Sequence, residues 1–495
     1  MRAMVAVDLG AQSGRVALGH FDGERLSVSE LRRFENGPVG VGGTLYTDVL
    51  RLYQEACEGL AAAAREGDVD SVGVNSWGVD FGLIDAKGEL LRNPVHYRDA
   101  RRTKAFDGAL ARVPARELYE RTGIQLLPIN TVFELAGMAA DRDPVLEAAG
   151  TVLLIPDLFH HWLAGVRVSE LTNATTTQCF DPRAGAWATD VLERLEIRAD
   201  LFPPAVTPGT VLGPLSDGVA EETHLGDAVL VAVATHDTAS AVAAVPFRKP
   251  GSAYISAGTW SLVGVEVEEP VIDDRTFAAN LTNEGGVEGT TRLLKNVAGL
   301  WLLHECRRIW EAEGRKYAFD DLIVLAGEAP PLRSLIDPDD PVFADPGDMP
   351  RRIAEFCRAT GQEEPEGSGA VVRCILESLA VKHRQTIELL RAAAGAAPEE
   401  VHVVGGGAHN GLLCSFTADA TGLPVLAGPI EATAVGNLLV QAMALGELSS
   451  LQEGRELVRA SFQPTVYEPG DTGPWDEASE RLRDILARPH AEVRA

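Results

Sequence analysis

The sequence predicts an α/β protein of two related lobes with a cleft between them, and three observations lead to this fold class. The chain has 495 residues, more than one hydrophobic core usually organises. Two segments, 5–18 and 253–265, each show a short apolar strand, a tight turn rich in glycine and small hydroxyl residues, and a second apolar strand. Helical patterns alternate with further strands after each segment. We therefore expect each segment to open one lobe.

The first half of the chain continues with strand and helix patterns in a regular order. The predicted strands are 25–34, 72–74, 81–84, 151–155 and 228–234, and the predicted helices are 48–65, 99–122 and 131–149. We expect Asp157 to cap the helix that follows strand 151–155. The polar residues 235–240 are expected to form a loop that opens another helix.

A glycine- and proline-containing stretch, Phe247–Gly251, is the best candidate for a linker. It predicts an N-terminal lobe at 1–246, a C-terminal lobe at 247–470 and a charged tail at 471–495. Within the second lobe the patterns predict a helix at 298–312, a loop rich in proline and aspartate at 329–350, a long helix at 367–396, a strand at 401–404 and a helix from Ala408.

The composition is that of an ordinary globular protein, with 45% hydrophobic residues and a formal net charge of −28. This charge argues against nucleic acid or an anionic membrane as a partner. Apolar runs such as 228–234 are far too short to cross a bilayer, and no signal peptide is visible, so we expect a cytoplasmic protein. The six cysteines lack metal-ligand or CxxC spacing, which favours free thiols over a zinc site or disulfides.

Asp8 is a candidate for holding Mg²⁺ through water beside phosphate groups. It ends an apolar strand just before a glycine turn, where a carboxylate is well placed for such an ion. The alternative is a simple turn or cap residue. The following Gly10, Ser13, Gly14 and Arg15 favour phosphate binding, because turns of this kind expose backbone N–H groups and hydroxyls. The segment is not a Walker loop, since GxxxxGK[ST] is absent.

Asp237 is the second candidate carboxylate, and it follows an apolar strand at an apparent helix start. A base there could take the proton from an acceptor hydroxyl during phosphoryl transfer, and the helix N-terminus would keep it ionised. The alternative is an N-cap aspartate. The surrounding Thr235, His236, Thr238 and Ser240 are more polar than a cap requires, which favours the functional interpretation.

Three further segments have both a functional and a structural interpretation. Gly405–Gly407 with Asn410 suits a flat ligand such as adenine, although a glycine triplet more often forms a tight strand-to-helix turn. Trp77–Asp80 combines an aromatic ring with a carboxylate, as sugar sites do, although a tryptophan is more often part of the core. The hydroxyl-rich run 172–178 is either a turn cluster or a wall of a substrate site.

From about residue 4 to residue 445 the chain resembles the FGGY carbohydrate kinase family, within the actin/hexokinase-like (ribonuclease H-like) ATPase fold. The resemblance is carried by the segments VAVDLGAQSGRV, SWGVDFGLID, TNATTTQ, VATHDTASAV, SAGTWSLVG and VVGGGAHN. The HDTAS and TNATTTQ segments are similar to those of the family members that act on L-rhamnulose. The resemblance therefore implies ATP-dependent phosphorylation of this ketose at its C1 hydroxyl in rhamnose catabolism.

The resemblance also implies a role for individual residues, with Asp237 as the general base and Asp8 holding Mg²⁺ through water. The implied ATP contacts are Ala11, Gln12, Ser13, Gly14, Arg15, Thr259, His304, Gly405, Gly406 and Asn410. The implied sugar contacts are Gly78, His236, Asp237, Thr238 and Asn296. Gln12 stands where relatives usually carry a small residue, and His304 stands where glutamine is expected.

Two other functions compete with this one. The first is a kinase for another ketose such as L-fuculose, because sugar specificity depends on a few hydroxyl contacts. The second is a non-catalytic, actin-like sugar sensor. The presence of both Asp8 and Asp237 favours a kinase, since a sensor needs no catalytic base. The expected partners are ATP and a small ketose, and the expected assembly is a monomer or a weak dimer.

Overall fold

The computed structural model describes residues 1–249, 251–395 and 397–487. The chain forms two compact units, each assembled from separate stretches. The first unit comprises Met1–Pro246, Glu266–Leu294 and Glu431–Gln463, and the second comprises Phe247–Val265, Lys295–Ile430 and Pro464–Ala495. Pro250 of the predicted linker, Ala396 at the end of the predicted long helix, and residues 488–495 of the predicted tail lie outside the described residues.

Strands and helices alternate along most of the chain. The strands are β1 (Arg2–Leu9), β2 (Ser13–Phe21), β3 (Leu26–Glu35), β4 (Pro38–Val41), β5 (Thr44–Thr47), β6 (Ser71–Ser76), β7 (Phe81–Ile84), β8 (Thr151–Leu154), β9 (Ser169–Glu170), β10 (Phe180–Asp181), β11 (Ala186–Trp187), β12 (Ala205–Val206), β13 (Thr210–Pro214), β14 (Val229–Ala232), β15 (Ala253–Ala257), β16 (Trp260–Val267), β17 (Thr282–Gly285), β18 (Thr291–Ala298), β19 (Val401–Val404), β20 (Val425–Ala427) and β21 (Thr465–Tyr467).

The helices are α1 (Val49–Glu66), α2 (Ala100–Arg112), α3 (Ala115–Thr122), α4 (Thr131–Ala140), α5 (Pro144–Ala148), α6 (Ile155–Ala164), α7 (Leu171–Ala174), α8 (Thr189–Arg194), α9 (Asp217–Thr223), α10 (Asp237–Ala243), α11 (Asp274–Ala278), α12 (Trp301–Ala312), α13 (Phe319–Glu328), α14 (Met349–Ala359), α15 (Gly367–Ala394), α16 (Gly411–Thr421), α17 (Ala432–Ala444), α18 (Leu451–Ser461) and α19 (Gly473–Ala487).

The first unit is built on a six-stranded sheet with the order β13-β14-β6-β1-β2-β3. The predicted hairpin of segment 5–18 is confirmed as the antiparallel pair β1–β2, while β1, β6 and β14 run parallel. A methyl group on Gly59 of α1 would overlap Val16 of β2, whereas one on Gly19 of β2 would overlap Leu438 of α17. Because Val16 and Gly19 point to opposite faces of the strand, α1 and α17 cover opposite faces of the sheet.

Helix α17 packs unusually close to its neighbours in this unit. A methyl group on Gly436 would overlap the backbone carbonyl of Ser240 in α10. A methyl group on Gly73 of β6 would lie 2.6 Å from the side-chain oxygen of Asn437. These two glycines therefore allow the backbones to approach closely, which places the polar residues of α17 directly against β6.

The second unit contains a mixed sheet in which β16 pairs with β15, β15 with β19, β19 with β20, and β20 with β21. The predicted hairpin of segment 253–265 is confirmed as the antiparallel pair β15–β16. The predicted long helix is α15, and its apolar residues pack with those of α12, α13, α14, α16 and α19 in one core cluster. The unit therefore consists of a sheet and a helical layer organised around α15.

Some predicted elements differ from the structure for local reasons. Segment 99–122 is interrupted at Val113 and Pro114, since a proline disfavours helical backbone in the residue before it. Asp157 does not cap α6: it lies in the first turn, and its carboxylate accepts the backbone N–H of Glu170 at 3.2 Å. The helix predicted from Ala408 begins at Gly411, because a short 3₁₀ turn, Gly406–His409, comes first.

The cysteine prediction is confirmed, because all six thiols are free and buried. Among the described residues, no helix is both long and apolar enough to span a bilayer.

The close contact at Gly436 predicts that Gly436→Ala destabilises the protein by about 3 kcal/mol, since α17 must move away from α10. Gly454→Ala on α18 is the matched control, because its methyl group would find ordinary contacts at 3.5 Å. We expect this control to change stability by no more than about 1 kcal/mol, in the stabilising direction. Urea unfolding of both variants measures the difference, and equal midpoints would contradict the packing argument.

Candidate active site

The candidate residues of the first unit collect where its parallel strands end. Asp8 and Asn75 are neighbours near the carboxyl ends of β1 and β6. His236 pairs with Ser76, so the loop after β14 extends this edge of the sheet. Because ligands of α/β sheets bind beyond the carboxyl ends of the strands, this edge is the natural place for a site. The structure thus brings together Asp8 and Asp237, which are far apart in the sequence.

Both oxygens of the Asp8 carboxylate are engaged by protein groups. Asn75 donates its amide N–H to Oδ1 at 2.7 Å, and the Nε of Arg15 lies 2.9 Å from Oδ2. Arg15 stands directly opposite Asp8 in the β1–β2 pair and also forms an ion pair with Glu431. The side chain of Asp8 is only 4% exposed. Asp8 is therefore a fixed, buried carboxylate next to a half-buried arginine.

The turn between β1 and β2 is held by backbone and side-chain hydrogen bonds. Gly10 donates its N–H to the carbonyl of Ser13 at 3.0 Å. Asn36 donates to the carbonyls of Gly10, at 2.7 Å, and Gln12, at 2.9 Å. Of the implied ATP contacts, Ala11, Gln12, Ser13 and Arg15 are half-buried, whereas Gly14 is covered by the ring of Phe34.

Asp237 is the first residue of α10, and its side chain is 28% exposed. Burial raises the pKa of this carboxyl, and the negative charge of Asp8 acts in the same direction. His236 and the hydrogen bonds from Thr238 act in the opposite direction but do not outweigh burial. The N-terminus of α10 is therefore not the only influence on the charge of Asp237, and burial outweighs it. A partly exposed carboxylate with a raised pKa suits a general base.

His236 connects Asp237 to a buried ion pair. The Nη2 of Arg292 lies 3.1 Å from Nδ1 of His236, and Glu284 lies 3.2 Å from the same guanidinium nitrogen. Nδ1 of His236 also lies 3.3 Å from Oε2 of Glu284, so this nitrogen faces both members of the ion pair. The other ring nitrogen, Nε2, lies 3.5 Å from Oδ1 of Asp237. The β17–β18 hairpin, which supplies Glu284 and Arg292, thus orients the imidazole.

The hydroxyl-rich run 172–178 supports the loop before α10. Glu170 accepts hydrogen bonds from the backbone N–H and hydroxyl of Thr235, at 2.9 and 2.8 Å, and from the hydroxyl of Thr172 at 2.5 Å. Thr172 in turn accepts the backbone N–H of His236 at 3.2 Å. The hydroxyl of Thr176 accepts the N–H of Val79 at 3.3 Å. These contacts favour the turn-cluster interpretation. The cluster holds in place both the loop before α10 and the loop that contains Val79.

Both oxygens of the Asp80 carboxylate accept hydrogen bonds from protein groups. The carboxylate accepts the indole N–H of Trp77 at 3.0 Å and a guanidinium N–H of Arg102 at 2.8 Å. Arg102 also contacts Glu134 at 2.6 Å, and all of these side chains are buried. The core interpretation therefore holds for Trp77 and Asp80. Gly78, between them, is half-buried, and a methyl group there would lie 2.9 Å from the hydroxyl of Thr176.

In the second unit, the turn of the β15–β16 hairpin meets two other segments. The carbonyl of Thr259 accepts the backbone N–H groups of Gly299 and Trp301, at 3.1 and 3.2 Å, so this turn anchors the start of α12. A methyl group on Gly407 would overlap Ala257. Gly405 has φ of +80°, a conformation that favours glycine. The glycine triplet is therefore a tight turn packed against the end of β15.

Asn410 has one half of its amide engaged and the other half without a protein partner. Its side-chain oxygen accepts the N–H of Leu413 at 3.0 Å and so caps α16, while the buried Nδ2 makes no hydrogen bond. His304 lies half-buried in α12, and burial lowers its pKa to about 4, which keeps the imidazole neutral. Asn296 lies on β18 next to Lys295, whose pKa is lowered by burial.

Several residues around the site were not expected from the sequence. Arg292 carries no local signal, because its partner His236 lies 56 positions away. Asn437 and Gln441 do carry a local signal: two amides, four residues apart, in a helix whose other buried residues are almost all apolar. Such a pair lies on one face of a helix and needs polar partners in the core.

Comparison with known proteins places this site in a family. Residues 3–244 match the N-terminal domain, and residues 253–445 the C-terminal domain, of the FGGY family of carbohydrate kinases. The chain belongs to this family. It is 45% identical to a rhamnulokinase of Bacteroides thetaiotaomicron over 97% of this chain and 99% of that protein. It is 38% identical to a rhamnulokinase of Enterococcus faecalis over 94% of each chain.

Solved structures of a gluconate kinase and a xylulose kinase share the fold at low sequence identity. A gluconate kinase from Lactobacillus acidophilus superposes with a TM-score of 0.79 at 15% identity and covers 99% of both chains. A xylulose kinase from Rhodospirillum rubrum superposes with a TM-score of 0.76 at 20% identity and covers 98% of both chains. The predicted fold class, an α/β protein with two actin/hexokinase-like domains, is confirmed.

The buried ion pair behind His236 predicts that Arg292→Met destabilises this FGGY kinase by about 3 kcal/mol, because it leaves the Glu284 carboxylate buried without its cation. Arg292→Met combined with Glu284→Gln should recover part of this loss, since no charge is then left uncompensated. Urea unfolding of the two variants at neutral pH provides the comparison. A double variant less stable than the single one would show that the two residues do not act as a pair.

Proposed function

We propose that this sugar kinase transfers the γ-phosphoryl group of ATP to the C1 hydroxyl of L-rhamnulose, giving L-rhamnulose 1-phosphate and ADP. The observation that carries the chemistry is the partly exposed Asp237, which has a raised pKa and the Nε2 of His236 3.5 Å from its Oδ1. The identity of the sugar is supported by three relatives named rhamnulokinase, at 37–45% identity over at least 94% of this chain.

In this proposal Asp237 accepts the proton of the C1 hydroxyl while the oxygen attacks the γ-phosphorus in line with the leaving ADP. A raised pKa brings the carboxylate closer to the operating pH, which favours proton transfer. The transition state is loose, so orientation and charge neutralisation supply most of the acceleration. His236 orients the base, and Gly78, Thr238 and Asn296 are the other residues we assign to the sugar.

The ATP phosphates are assigned to the two hairpin turns, through residues Ala11–Arg15 of the first unit and Thr259 of the second. We assign the adenosine to Gly405, Gly406, Asn410 and His304; the unpaired Nδ2 of Asn410 supports this, since a purine ring offers acceptors. The net charge of −28 repels a nucleotide at long range, so these local groups must hold it.

The residues present suit Mg²⁺ that arrives with the nucleotide. No group of three or more acidic, histidine or cysteine side chains in the described parts of the chain is arranged to hold a metal ion. Asp8, whose oxygens already accept hydrogen bonds, would meet the ion through water. When bound, Mg²⁺ neutralises charge on the β- and γ-phosphates. The cytoplasmic location and the monomeric or weakly dimeric state stay predictions.

The base assignment predicts that Asp237→Asn lowers kcat by about 10²- to 10⁴-fold, because an amide cannot accept the proton. Mg·ADP binding, measured by calorimetry, should be retained. The free energy of unfolding should not fall, since burial already disfavours the ionised carboxyl. A variant that keeps near wild-type turnover would remove Asp237 from the base role.

The substrate assignment predicts that kcat/KM is highest for L-rhamnulose in a panel that includes L-fuculose and D-xylulose. A mismatched hydroxyl leaves polar groups of the site unpaired, so the other ketoses should fall behind by orders of magnitude. A coupled assay of ADP release measures all three. A better ketose would overturn the assignment to L-rhamnulose, and nucleotide binding without any ketose-dependent ADP release would indicate a sensor.

A further inference from the structure

A chain of buried side-chain hydrogen bonds leads from the start of β6 to the carboxylate of Asp8. The hydroxyl of Ser71 donates to Gln441 at 2.6 Å, and Gln441 donates to Asn437 at 2.6 Å. Asn437 donates to Asn75 at 2.7 Å, and Asn75 donates to Oδ1 of Asp8 at 2.7 Å. None of the five side chains in this hydrogen-bond series is more than 4% exposed.

The donor-to-acceptor direction of this hydrogen-bond series is fixed by its last member, Asp8. An ionised carboxylate only accepts hydrogen bonds, so Asn75 must turn its NH₂ group toward Asp8 and its oxygen toward Asn437. The same requirement then applies to Asn437 and to Gln441, until the hydroxyl of Ser71 completes the series. Every donor end therefore points toward Asp8, and hydrogen bonds aligned in this way strengthen one another.

Helix α17 also reaches the second oxygen of Asp8. Glu431, the residue before its first turn, forms an ion pair with Arg15, and Arg15 contacts Oδ2 of Asp8 at 2.9 Å. Asn437, nearly two turns further along, acts on Oδ1 through Asn75. One helix thus restrains both oxygens of the same carboxylate.

Packing alone does not explain why amides stand at positions 437 and 441. Other buried residues of α17 are mostly alanine, valine and leucine, and an apolar pair would avoid burying two amide groups. Gln441 also donates to the backbone carbonyl of Val5 at 3.0 Å, whereas the donor group of Asn437 points toward Asp8 through Asn75. Asn437 is therefore the buried amide of α17 whose placement bears most directly on Asp8.

We propose that Asn437 is a positioning residue for Asp8, which it orients through Asn75 for the approach of Mg·ATP. The inference rests on the proposed function in one respect, namely that Asp8 acts on the nucleotide. Asn437→Ala removes the donor to Asn75, which is then free to turn. We expect kcat/KM for Mg·ATP to fall about 10- to 100-fold, the usual range for groups that orient a ligand-binding side chain, while the KM for the ketose stays unchanged.

A double-mutant cycle with Asp8→Asn tests whether Asn437 acts through Asp8. In the Asp8→Asn background the orientation of a carboxylate no longer matters, so Asn437→Ala should change kcat/KM by less than about twofold. An equal loss in both backgrounds would overturn the inference and assign Asn437 a structural role. If Asp8→Asn alone leaves turnover intact, the proposed role of Asp8 fails instead.

Two further variants separate positioning from folding. Asn130→Ala removes another buried amide of the first unit, which donates to Gln125 and Gln178, and should lower stability without changing the KM for Mg·ATP. If Asn437→Ala does not fold, Gln441→Met repeats the cycle one link further along, where a smaller loss in the same direction is expected.

A readout independent of activity is the unliganded structure of Asn437→Ala. We expect the Asn75–Asp8 hydrogen bond of 2.7 Å to be lost or the carboxylate to be rotated. An unchanged Asp8 side chain would overturn the inference.

Discussion

The close packing of α17 against β6 and α10 is the contact on which the first unit depends. It requires glycine at two positions, Gly73 and Gly436, because side chains there would overlap neighbouring atoms. The helix comes from residues 432–444, yet it covers one face of a sheet whose strands all lie between residues 2 and 232. One face of the first sheet is therefore covered by a late part of the chain.

In the function we propose, this arrangement also places an arginine at the turn assigned to the ATP phosphates of a strongly acidic protein. Arg15 lies between the carboxylates of Asp8 and Glu431 and is a half-buried cation at the turn. Arg292 plays a different part, since it is fully buried against Glu284 and reaches the site only by orienting His236. Arg15 thus lies at the turn itself, whereas Arg292 fixes the orientation of His236, the neighbour of the proposed base Asp237.

Local patterns were sufficient to predict much of the fold and part of the site. The two hairpins, α15 and β19 follow from periodicity and from glycine turns, which act over a few residues. The pairing of Asn75 with Asn437 could not be predicted, because it joins positions 362 residues apart. The raised pKa of Asp237 was also inaccessible, since it arises from burial and from the charge of Asp8. The interpretation of Asp80 stayed open in the sequence because its partner, Arg102, lies 22 residues further along the chain.

The two hairpins have different roles despite their common pattern. In the first, the opposed pair Asp8 and Arg15 stands one position before the last pair, Leu9 and Gly14, and the turn is held by the side chain and backbone of Asn36. In the second, the equivalent pair is Ser256 and Leu262, the last pair is Ala257 and Ser261, and the turn carbonyls bind the start of α12. In the function we propose, the charged pair suits the first turn to an ion and its phosphates. In the second hairpin, the small Ala257 lets the Gly405–Gly407 turn pack directly against the end of β15, which suits the proposed adenosine site.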